Sequence, residues 1–96
     1  MSPLKRKKLS KIRFELDKLD NSLIKLIKKR TNLVKKVLAL KDKKSQIVDQ
    51  KRIKSILNNI RKKSIKNNID PKITNRIWKN MIWSYIDFEK RNFKKK

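Results

Sequence analysis

The sequence predicts an all-α fold of three helices, the first of them long. Three observations carry this. The chain has no Gly and only two Pro, so a sheet full of tight turns lacks the residues to make them. Apolar residues recur in steps of three and four through most of the 96 residues, the signature of amphipathic helices. A strong start signal, Asp70-Pro71, follows a polar break at Asn67-Asn68.

The opening residues 1–8 are basic, with Lys5, Arg6, Lys7 and Lys8, and read as a frayed tail. From Leu9 the apolar series runs Ile12, Leu16, Leu19, Leu23, Leu26, Ile27, Leu33, Val34, Val37, Leu38. No Pro or Gly interrupts it until the polar stretch Asp42-Lys43-Lys44-Ser45-Gln46. The first helix is therefore about 35 residues, or ~50 Å, long. A chain this short cannot cover so long an apolar stripe, and the simplest cover is a second copy, so an obligate dimer is expected. A second helix reads from Asp49, a candidate N-cap, to Lys66, with Ile53, Ile56, Leu57, Ile60 and Ile65 on its apolar face. The third starts at Pro71 and carries Ile73, Ile77, Trp78, Met81, Ile82, Tyr85, Ile86 and Phe88, reaching toward Phe93. The tail 94–96 reads as frayed. There is no internal repeat, and residues 1–96 form one domain at most.

Composition removes several chemistries. No Cys excludes disulfides and thiolates; no His as well leaves no soft metal site and no Ser–His or Cys–His nucleophile. No Gly excludes a glycine-rich phosphate loop. The 31 Lys and Arg against 8 Asp and Glu give a net charge of +23, which raises the prior for nucleic acid or an anionic surface. Yet 24 of the 31 are Lys, Ile and Asn are abundant, and Ala39 is the single Ala. That skew is what an AT-rich genome would impose, so most of these lysines read as solvated surface; clustered Arg with aromatic platforms, a better sign of nucleic-acid contact, is absent. No apolar core follows the basic start, and the uncharged run Met81–Ile86 is too short to span a bilayer, so the cytoplasm is the expected compartment.

The informative polar residues interrupt the apolar faces. Arg30 lies between Ile27 and Val34, and Lys41 follows Val37-Leu38. On one helix, Arg30 and Lys41 fall within about 20° of the same face, whereas Arg13 is rotated by about 100°. One anion could meet Arg30 and Lys41 from one helix but not easily Arg13, and in an antiparallel or intertwined dimer the partner's Arg13 could complete that site. Periodicity alone fits three ordinary surface cations better. Asp49 and Arg52, three apart, read as a local ion pair worth a few tenths of a kcal/mol. Tyr85 and Glu89 share a stripe with Trp78 and Ile82, a spacing more common in cores than in sites. Glu89 is one of two glutamates in the chain. Burial beside Phe88 would favour its protonated form, a hydrogen-bond donor.

Together these residues resemble the all-helical chorismate mutase family over Leu9–Phe93. Ile12-Arg13-Phe14-Glu15-Leu16-Asp17-Lys18-Leu19-Asp20 with Leu23 through Arg30 is similar to the family's "LR..ID.LD..L..LL..R" signature. Val37 through Lys41 resembles its "V...K" segment, and Ile47-Val48-Asp49-Gln50-Lys51-Arg52 its "P(V)xDxxRE" helix start. Ile69-Asp70-Pro71 fits the start of its third helix.

The resemblance implies an intertwined homodimer and an isomerase of aromatic amino-acid biosynthesis. Such enzymes convert chorismate to prephenate by a Claisen rearrangement with no cofactor and no metal. By resemblance, Arg30 and the partner's Arg13 grip the substrate carboxylates, with Arg52 in the same anchoring network and Asp49, Ile53 and Tyr85 lining the site. Lys41 and Glu89 flank the ether oxygen, where negative charge gathers in the transition state. No membrane and no specific nucleic acid is implied as a partner. Two departures stand out. Ile53 replaces the Glu that follows the helix-two Arg in mutases, and Tyr85 replaces a common Ser. Both resemble the isochorismate-pyruvate lyase branch of the fold, as does Trp83-Ser84-Tyr85-Ile86, while Asp49 pulls toward the mutases. The mutase reading is favoured, with the lyase as its alternative. A non-catalytic basic dimer that binds nucleic acid is the second alternative.

Overall fold

The structure is a computed structural model and describes residues 1–94. It is all-α among the described residues, with three helices: α1 Pro3–Leu40, α2 Gln50–Lys66 and α3 Pro71–Asn92. A short 3₁₀ turn, Lys44–Gln46, lies between α1 and α2. The chain divides into two units, Met1–Leu33 and Val34–Lys96.

In the first unit, α1 begins at Pro3 rather than at Leu9. The Ser2 hydroxyl accepts the Lys5 N–H at 3.2 Å, and the Ser2 carbonyl accepts the Arg6 N–H at 3.0 Å. Ser2 is thus an N-cap with Pro3 at the first helical position, a start signal of the same kind as Asp70-Pro71. Residues 3–8 are therefore helical, not a frayed tail. None of the 38 residues of α1 is buried. Ile12, Leu16, Leu19, Leu23 and Leu26, the spine of its apolar stripe, are each more than half exposed.

The second unit has a core of its own. Ile47, Ile82 and Ile86 are buried, and Leu38, Val48, Ile53, Ile56, Leu57 and Phe93 pack against them. α2 and α3 form the hairpin that carries most of this packing. At its turn, the buried Ser64 hydroxyl donates to the Ile60 carbonyl at 2.6 Å and pairs with the Thr74 hydroxyl at 2.6 Å. α2 ends in a Schellman turn: the Ile69 N–H donates to the Ser64 carbonyl at 2.9 Å, and the Asn68 N–H to the Ile65 carbonyl at 3.2 Å. That turn needs a left-handed residue, and Asn68 supplies it at φ 57° in a chain with no Gly. Asp70 then caps α3, accepting the Lys72 N–H at 2.9 Å. Lys94 lies beyond α3, and residues 95 and 96 of the expected frayed tail lie outside the described residues. Among the described residues, no helix is long and apolar enough to cross a membrane.

Candidate active site

The buried stripe of α3 runs Ile82, Ile86, Glu89, in steps of four and three. The helix therefore turns a carboxylate into the same direction as two core isoleucines. Glu89 is only 6% exposed. A carboxylate taken out of water must find a cation or several donors. It finds Lys41, whose Nζ donates to Glu89 Oε2 at 3.0 Å. The two side chains are 19% and 8% exposed. An ammonium has three N–H groups. One is spent on Glu89, and no other partner holds Lys41 among the described residues.

Lys41 is presented by the loop between α1 and α2. α1 ends at Leu40, so Lys41 stands just outside the helix, its N–H donating to the Leu38 carbonyl at 3.1 Å. The loop is clamped by a side chain that the sequence reading passed over. Gln46 Oε1 accepts the backbone N–H of Asp42 at 2.8 Å and of Lys43 at 2.9 Å. Ile47, 4% exposed, anchors the end of the loop in the core. The signal was faint: a Gln in a polar stretch just ahead of an apolar pair.

The other candidates take up several positions. Asp49 caps α2, its Oδ1 accepting the backbone N–H of Arg52 at 3.0 Å. The expected local ion pair is therefore a cap, because the Asp49 carboxylate is turned to the helix N-terminus rather than to the guanidinium. Arg52 itself is exposed, while Ile53 is half-buried and packs on the core. Tyr85, one turn before Glu89 on α3, is half-buried. Arg13 and Arg30 belong to the other unit, Arg13 exposed and Arg30 half-buried on α1. The structure thus joins Lys41 with Glu89 and Asp49 with the Arg52 backbone. A half-buried cation with N–H groups to spare, beside a buried carboxylate, suits the recognition of a partly negative oxygen.

The family model for chorismate mutase type II matches residues 12–90. The chain belongs to the chorismate mutase type II family. A chorismate mutase of Methanocaldococcus jannaschii is 37% identical over 76 residues, covering 78% of this chain and 77% of that protein. No solved structure gives a significant match. Chorismate mutase activity is the function that this family and this relative support, and all eight candidate residues, from Arg13 to Glu89, lie inside the matched span.

Proposed function

We propose that the protein isomerises chorismate to prephenate in a site built around Lys41 and Glu89. The observation that carries this is the 3.0 Å contact between them, between residues 48 positions apart, in a chorismate mutase family member. The rearrangement breaks the ether C–O bond and forms a C–C bond within one molecule, so no nucleophile or co-reactant is consumed. As the C–O bond lengthens, negative charge gathers on the ether oxygen. Lys41 donates to that oxygen more strongly in the transition state than in the substrate, which lowers the barrier. Glu89 holds the Lys41 ammonium in place beside that oxygen. Arg30 and Arg52 hold the two substrate carboxylates with Arg13 of the partner subunit, fixing the folded conformer that reacts. Asp49 holds the start of α2, and Ile53 and Tyr85 wall the ring.

The site is read as shared across a homodimer. The uncovered apolar stripe of α1 supports this. A soluble dicarboxylate substrate fits action in the cytoplasm. The packing of Ile53 on the core, where it offers no hydrogen bond to a ring hydroxyl, favours a second reading as an isochorismate-pyruvate lyase. Purified protein given chorismate and, separately, isochorismate decides between them. Prephenate alone is the expected product; salicylate with pyruvate would replace the mutase reading by the lyase, and no turnover of either would remove both.

A further inference from the structure

Between Gln50 and Ile86 there are ten cations and one carboxylate, the capping Asp70. An AT-rich genome would raise the number of lysines without deciding where acids are missing. One face of the α2–α3 hairpin gathers part of this charge. A groove of about 330 Å³ is lined by Leu57, Asn58 and Arg61 of α2 and by Pro71, Lys72 and Asn75 of α3. A second recess on α3 adds Arg76 beside Lys72 and Asn75. Seven residues advance a helix by about 10 Å and return it to within about 20° of the same face. Lys54 is therefore in line with Arg61 on α2, and Lys79 with Lys72 on α3. Trp83, four residues past Lys79, continues the row with half its surface exposed. Among the described residues, no carboxylate is paired with Lys54, Arg61, Lys72, Arg76 or Lys79.

On α3, Trp83 lies about 160° from Tyr85 and about 120° from Glu89, so the row occupies a different face from the candidate active site. The half-exposed Ile73 and Ile77 lie about 100–140° from Lys72.

We propose that this row binds single-stranded nucleic acid without regard to sequence. Arg61, Lys72, Lys54 and Lys79 meet phosphates, Asn58 and Asn75 donate to phosphate or sugar oxygens, and a base stacks on Trp83. The exposed indole decides the partner class. An acidic peptide has no need of a π-face, and a duplex hides its own.

Any protein of this charge binds polyanions, so the test compares matched charge losses in the full chain. Binding of a labelled oligothymidylate of about 16 nucleotides is followed by anisotropy across a salt series. The row variant Arg61→Gln/Lys72→Gln/Lys79→Gln is set against Lys5→Gln/Lys7→Gln/Lys8→Gln, with circular dichroism to show that both remain helical. The row variant is expected to lower the salt slope by about 2, at about 0.7 per phosphate lost, and to weaken binding well beyond the control. Trp83→Leu is expected to weaken binding about tenfold at an unchanged slope. Equal losses in the two triple variants would show diffuse charge and overturn the proposal. Binding by Trp83→Leu that matches the wild type, or competition by polyglutamate as effective as by unlabelled oligonucleotide, would overturn it as well.

Discussion

Glu89 is tolerable on a stripe of isoleucines because Lys41 reaches it, and Lys41 reaches it because Gln46 and Ile47 fix the loop that carries it. A lone charge at that depth costs several kcal/mol, so the two residues stand or fall together. Replacing Lys41 by Ala removes a fixed donor aimed at the ether oxygen, and kcat for prephenate formation is expected to fall by about 10²–10³-fold. Activity within a few-fold of wild type would take Lys41 out of the mechanism. Glu89→Ala leaves Lys41 without its 3.0 Å partner, and kcat is expected to fall by at least about tenfold as the ammonium loses its fixed position. Activity equal to wild type would take Glu89 out of the site. Lys41 and Glu89 were both legible in the sequence as interruptions of apolar faces, whereas Gln46 was not. Its work is two backbone hydrogen bonds within a loop, and no periodicity marks those.

At the scale of elements, the helix ends are set by short-range chemistry, and most were readable. Asp49 and Asp70 cap α2 and α3 as expected. The same rule applied at Ser2-Pro3 yields the true start of α1, which the apolar pattern missed because the first turns carry few apolar residues. The C-terminal end of α2 depends on Asn68 in the left-handed region, a place that Gly fills in most proteins. Asp70→Ala is expected to cost about 1 kcal/mol by removing the cap of α3. Asn68→Val is expected to cost about 1–2 kcal/mol because a β-branched side chain resists positive φ. Urea denaturation checks both, and an unchanged midpoint for Asp70→Ala would mean that the cap contributes nothing.

At the scale of the molecule, the first helix presents an apolar stripe that the described residues leave open, and a second copy is the proposed cover. The decisive measurement is complementation. Arg13→Ala and Lys41→Ala are each expected to be inactive as homodimers. Unfolded and refolded together at equal amounts, half of the dimers are mixed. Each mixed dimer holds one site with an intact Arg13 from one chain and an intact Lys41 from the other. Activity is then expected to recover to about a quarter of wild type. No recovery, with mixed dimers shown to form, would place Arg13 in the same chain as its Lys41.

By itself the sequence determined the helical class, the break at Asn67–Pro71, the two aspartate caps and the residue types available for chemistry, because these rest on local spacing and composition. The tertiary structure decided which of them meet. It set Lys41, just past the end of α1, against a glutamate 48 residues away. It also laid Arg61 of α2 beside Lys72 of α3, on a face that Trp83 continues, a grouping that the linear order conceals. Helical periodicity fixes a residue's direction on its own helix. Only the packing of one helix on another fixes what that direction faces.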